Sequence, residues 1–148
     1  MPAIHLPITQ QGPLLRAYVG VSTYRADALI KAGLAAPKWI SGIFLVDTGA
    51  SGTCIDPALV QPLDIPPSGS VNVQTPSTGE TPHPCSQYDV LLYIPGPDPG
   101  VDGLMIDAIP ILETSLSPQG IDGLIGRDVL DRCTLIYNPG IKMFTLAY

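Results

Sequence analysis

The sequence predicts a mostly β protein, a closed barrel-like sheet carrying one or two short helices. Three observations lead there. Short aliphatic and β-branched runs recur along the chain, as in Leu14–Val21, Trp39–Val46, Tyr88–Ile94 and Leu104–Leu112, with the length and composition of strands. Between them, 15 glycines and 17 prolines make up about a fifth of the residues, where about 12% is usual. They punctuate the apolar runs rather than cluster, so they mark turns and not a low-complexity tract. Finally, 148 residues suffice for one domain, residues 1–148, with a modest core.

Gly12-Pro13 leads into the first strand candidate, Leu14–Val21. Over Thr23–Gly33, residues Tyr24, Ala28, Leu29 and Ala32 recur at helical spacing, with Gly33 as the stop. The second strand, Trp39–Val46, runs straight into Asp47-Thr48-Gly49. Asp56-Pro57 ahead of Ala58-Leu59-Val60 gives a single capped helical turn, with Asp56 as N-cap and proline at the first position.

Val71-Asn72-Val73-Gln74 alternates and reaches a turn at Thr75-Pro76-Ser77-Thr78-Gly79. Pro82 and Pro84 break the return arm, which places this hairpin at an edge or projecting from the body. Tyr88–Ile94 is a buried strand, residues 95–103 form a loop, and Leu104–Leu112 is another strand. A loop over Ser115–Asp122 leads to Gly123-Leu124-Ile125-Gly126-Arg127-Asp128 and a short helix, Val129–Arg132. The chain closes with a hairpin, Thr134–Tyr137 and Lys142–Tyr148, around Asn138-Pro139-Gly140.

Charge narrows the function classes. Only 14% of the residues are charged, against about a quarter in an average soluble domain. That leaves apolar surface which a subunit interface would hide. A net charge of −6 without a Lys/Arg cluster argues against nucleic acid or an anionic membrane as partner. No apolar run is long enough to span a bilayer, and Met1–Pro13 lacks the pattern of a secretory signal. Cys54, Cys85 and Cys133 are odd in number and widely spaced. This fits a reducing, cytoplasmic compartment better than a disulfide framework. His5 and His83 stand apart from other ligand types, so neither a metal site nor a cofactor is expected.

The chemistry lies in Phe44-Leu45-Val46-Asp47-Thr48-Gly49-Ala50-Ser51. A carboxylate directly after an apolar strand is a poor core group unless something supports it. Gly49, with the small Ala50 and Ser51, lets the backbone turn tightly and bring N–H groups to Asp47, while Thr48 can orient the loop through its hydroxyl. One carboxylate can act as a general base on water, but amide hydrolysis also needs an acid for the leaving group. Two carboxylates held together share a proton and supply both. The chain has one Asp-Thr-Gly, so the second carboxylate is expected from another copy across a two-fold axis.

With Leu45–Ser51 and the later Leu124-Ile125-Gly126-Arg127-Asp128-Val129-Leu130, the chain resembles the retropepsin-like aspartic peptidases over roughly Leu14–Tyr148. The resemblance implies a homodimeric endopeptidase acting on extended polypeptides. It makes Asp47 the catalytic aspartate, Thr48 the residue that reaches across the two-fold, and Gly49 a backbone facing substrate. Ala50 supports the turn, Arg127 braces site and interface, and the Gly126 segment threads beside the catalytic loop. Residues 71–88 become a flap with its tip at Thr75–Gly79. Against the family pattern, residues 23–38 read as an insertion and Ser51 stands where many viral members carry an acid. Arg127 must then find another partner, for which Asp128 and Asp56 are candidates.

Plainer readings stand beside these. Asp47 alone could make an Asx-type turn, Asp128 could be only a helix N-cap, and Cys54 is more simply a small buried residue than a redox switch. At the level of function, the alternatives are a catalytically idle dimerisation or peptide-binding module and a processing domain within a longer chain.

Overall fold

The structure, a computed structural model, describes residues 1–74 and 79–148. The chain begins with β1 (Ala3–Thr9) and β2 (Gly12–Val21), then α1 (Thr23–Lys31) and β3 (Ile40–Val46). Next come β4 (Cys54–Ile55), α2 (Pro57–Val60), a 3-10 turn at Gln61–Leu63, β5 (Gly69–Val73), β6 (His83–Ile94) and β7 (Leu104–Glu113). After a second 3-10 turn at Ser117–Gln119 follow β8 (Gly123–Ile125), α3 (Arg127–Leu130), β9 (Thr134–Asn138) and β10 (Met143–Ala147).

Six strands close on themselves in the order β6-β7-β4-β8-β3-β2, and the ring is sealed where β2 pairs with β6 from Tyr18↔Tyr93 to Val21↔Val90. Closure covers the edges of these six strands and leaves β5 and β9 at the ends of the sheet. The expectation of a mostly β barrel with short helices is met, although three helices form rather than one or two. Alternation drives it: Leu15, Ala17, Val19 and Val21 of β2 point inward, as do Phe44 and Val46 of β3. Each such aliphatic or aromatic side chain contributes roughly 1.5–3 kcal/mol on full burial.

On β7 the inward positions shift from Ile109 and Ile111 to Ile106. Val90 pairs with Ile109 but Leu92 with Ile106, so β7 carries one extra residue there, and Ala108 takes a positive φ of 52°. A β-bulge of this kind re-aims the strand and keeps both halves facing the core.

Several expected elements sit differently. The first strand of the chain is β1, which is not among the expected strands although Ile4, Leu6 and Ile8 alternate, and it pairs with β10 from Ala3↔Ala147 to Pro7↔Met143. Pro84 does not break its arm: β6 starts at His83 and passes through Pro84 opposite Asn72. At that position β6 pairs with β5 alone, since its pairing with β7 begins at Gln87, and on a strand with one side unpaired a missing N–H is tolerated.

The 23–38 segment forms α1, capped by Ser22, whose Oγ accepts from Arg25 N at 3.3 Å, and followed by Gly33 at φ 76°. It buries no residue. It is tied down by Thr23 N donating to Asp107 Oδ1 (2.9 Å) and Arg25 Nη2 donating to the Asp64 carbonyl (3.1 Å).

Candidate active site

Strand β3 delivers Asp47 to the mouth of the barrel. Its backbone N–H donates to the Ile125 carbonyl at 3.0 Å, continuing the parallel pairing of β3 with β8 by one residue. The chain then reverses. Gly49 N donates to Asp47 Oδ1 at 2.8 Å and Ala50 N to the Asp47 carbonyl at 3.2 Å. The carboxylate is therefore oriented by its own turn, as the small residues after it predict. Asp47 is half-buried, with Thr48 and Gly49 exposed beside it.

The second motif packs against this turn. Arg127 N donates to the Ala50 carbonyl at 2.9 Å, and Arg127 Nη1 donates to the carbonyls of Thr48 (3.0 Å) and Gly49 (3.5 Å). Arg127 thus braces the turn through its backbone oxygens, and neither Asp128 nor Asp56 is its partner. Both carboxylates are engaged elsewhere. Asp128 accepts from Thr53 N (2.9 Å), Thr53 Oγ1 (2.8 Å) and Val129 N (2.9 Å). Asp56 accepts from Ala58, Leu116 and Ser117 N–H groups. Asp128 is not an N-cap either, since Gly126 holds that position in α3.

Thr53, only 1% exposed, is the residue that sequence reasoning missed. Its Oγ1 donates to Asp128 and accepts from Gly126 N at 3.1 Å, joining the catalytic-type turn to the Gly126 segment. A lone threonine six residues past the aspartate carries no local signal; only the fold brings it to Asp128.

Asp47, Gly49 and Ala50 form one side of an open cleft of about 570 Å³. Val73, His83 and Cys85 line it from the β5–β6 hairpin, and Leu116 and Gln119 from the segment after β7. Gly79, at the near end of the expected flap tip, has φ 63° and its carbonyl accepts from Gln74 Nε2 at 3.0 Å. The other expected tip residues, Thr75, Pro76, Ser77 and Thr78, lie outside the described residues. Cys54 also lines the cleft, half-buried, and burial pushes its thiol pKa up. A neutral thiol is a poor nucleophile, in keeping with a packing role. Among the described residues, no three His, Cys, Asp or Glu side chains gather to hold a metal ion. Among them, too, no helix is long and apolar enough to cross a membrane.

The aspartyl protease family model matches residues 41–129, more than half of the chain. No curated protein matches significantly. Among solved structures, the chain is similar to a retropepsin-like aspartic protease from Rickettsia conorii, with a TM-score of 0.59 and 15% identity. The match covers 99% of this chain and 90% of that one, and at that identity it speaks for the fold. The family match spans Asp47, its turn and the Gly126 segment that braces it, and the chain belongs to the aspartyl protease family.

Proposed function

We propose that the protein is an endopeptidase that hydrolyses peptide bonds of extended polypeptides, with Asp47 of two copies forming the catalytic pair. The observation that carries this is the setting of Asp47. It is a partly exposed carboxylate, fixed by Gly49 N–H at 2.8 Å, on the wall of a cleft of about 570 Å³. A single carboxylate in that setting supplies a base without an acid, and a second copy of the same turn supplies the missing partner. One Asp47 would draw a proton from water as it attacks the peptide carbonyl, while the other, protonated, gives its proton to the departing amine.

Dimer formation is supported by apolar side chains left in solvent on the β9–β10 hairpin, where Ile136, Tyr137 and Ile141 are 55%, 53% and 68% exposed. Thr48 is exposed next to Asp47 and would meet its mate at the two-fold. The β5–β6 hairpin, which lines the cleft from the sheet edge, would serve as the flap over a bound chain.

The test is cleavage of a denatured protein mixture by wild type and Asp47→Ala, with sedimentation over a dilution series. Wild type should cut, Asp47→Ala should not, and activity should fade as monomer appears. Equal behaviour of the two proteins would replace this reading with the idle dimerisation or peptide-binding module. A fully active monomer would remove the shared site.

A further inference from the structure

Part of the cleft lining, including Leu116 and Gln119, belongs to the segment between β7 and β8, and this segment is held near its middle by one buried carboxylate. Asp56, 4% exposed, follows β4 directly. Its Oδ1 accepts from Ala58 N at 3.0 Å and caps α2. Its Oδ2 accepts from both Leu116 N and Ser117 N, each at 2.8 Å. Leu116, itself in that contact, and Gln119, two residues beyond Ser117, line the cleft that contains Asp47.

The ends of the same segment are fastened by backbone bonds and, at Asp122, also by its carboxylate, whose Oδ2 accepts from Ile43 N at 2.7 Å. Thr114 N donates to the Ile55 carbonyl (2.9 Å) and Asp56 N to the Asp122 carbonyl (2.8 Å). A side-chain amide from the β1–β2 turn, Gln11 Nε2, adds a bond to the Gln119 carbonyl at 3.2 Å. Between these anchors, among the described residues, the Leu116 N–H bonds to Asp56 alone, and the Leu116 side chain is 2% exposed.

Resting on the peptidase reading, we infer that Asp56 is a positioning residue of the substrate cleft: its carboxylate sets how far the Leu116–Gln119 wall stands from Asp47, and so how tightly the cleft grips a peptide side chain. The chemistry requires a carboxylate. Three backbone N–H groups converge on it from two directions, and an ionised carboxylate presents acceptors on both oxygens. An asparagine presents one oxygen and one NH2. With the oxygen toward Ala58 it keeps the helix cap, and its NH2 then faces two other donors, so the wall is released. A serine keeps the cap through Oγ and is too short to reach Leu116.

These properties separate a positioning role from a stabilising one. Asp56→Asn and Asp56→Ser both retain the cap of α2, so one of the two serves even where the other fails to fold. Asp107→Asn is the comparison. It alters another carboxylate that accepts backbone N–H groups, those of Thr23 and Ala108, but lies outside the cleft lining.

The experiment measures peptide KM and kcat, together with amide hydrogen exchange over residues 114–121, in the full-length protein. Asp56→Asn and Asp56→Ser should raise KM about tenfold with kcat changed far less, and should lose exchange protection at Leu116 and Ser117. Asp107→Asn should keep the wild-type KM and the wild-type protection at 116 and 117. Wild-type KM in both Asp56 variants, or a KM rise shared by Asp107→Asn, overturns the inference. Exchange decides independently of turnover. Unchanged protection at Leu116 and Ser117 removes the anchor, whereas loss of protection with a wild type that cuts nothing condemns the peptidase reading and leaves the anchor standing.

Discussion

Gly126 lies flat against the backbone of Gly52: a Cβ built on Gly126 would sit 2.5 Å from the Gly52 carbonyl carbon and 2.6 Å from its oxygen. Those neighbours are main-chain atoms, which cannot swing aside as a side-chain end could. This is where the second motif threads past the turn that carries Asp47. Gly126→Ala should therefore push the two segments apart, lower stability by roughly 1–3 kcal/mol, and reduce turnover at least as severely. Urea denaturation and peptide cleavage measure both, and a variant with wild-type midpoint and turnover would show that the contact has slack.

Thr53 offers a subtler test of the same junction. Its hydroxyl donates to Asp128 Oδ1 and accepts from the buried Gly126 N–H. Thr53→Val keeps the shape and removes both bonds, leaving a buried donor without a partner, an effect of about 1–3 kcal/mol. Thr53→Ser should recover most of that loss, since it restores the oxygen. Equal destabilisation by valine and serine would mean that the methyl group, not the hydroxyl, matters.

Acid should loosen the fold through Asp56. The Ala58 N–H first, then those of Leu116 and Ser117, hold its carboxyl below the ordinary 3.8, against the opposing push of burial. A depressed folded-state pKa adds stability that is fully present above the unfolded value and is lost as pH falls through the folded one. Asp107 is shifted the same way, chiefly by Thr23 N–H, but it is solvent-exposed and its effect is screened. Denaturation midpoints should stay level from neutral pH down to about 4 and fall below it, and Asp56→Asn should flatten that acid limb. A limb equally steep in the variant would assign the acid sensitivity to other carboxylates.

Gly79 has a left-handed backbone, φ 63°, and open space where a Cβ would point. The constraint there is conformational and not steric crowding, and a β-branched residue meets it poorly. Gly79→Val should leave folding and dimerisation near wild type while slowing turnover about tenfold or more, if the hairpin closes over substrate as a flap. Hydrogen exchange with and without a peptide-like inhibitor checks the closure. Equal protection in both states, with normal turnover in the variant, would show that the hairpin is not a lid.

What the sequence determined was local. Asp56-Pro57 specified a capped turn because both signals act within three residues, and Asp56 does cap α2. Asp47-Thr48-Gly49 specified a carboxylate held by its own turn, and Gly49 N–H does hold it. The short apolar runs of β2, β3 and β6 specified strands through their length and their aliphatic, β-branched composition. What the tertiary structure decided was pairing between distant segments. β1 takes its place in the sheet through its register with β10, nearly the whole chain away, which the alternation of Ile4, Leu6 and Ile8 could not specify. Pro84 stays in β6 because the strand has a partner on one side only at that position. Arg127 turns to the carbonyls of Thr48 and Gly49, while Asp128 goes to Thr53 and Asp56 to Leu116 and Ser117. Charge type in the sequence suggested ion pairs for that arginine. Buried backbone groups claimed the carboxylates instead, because an unpaired N–H in the core is costlier than a surface ion pair is favourable.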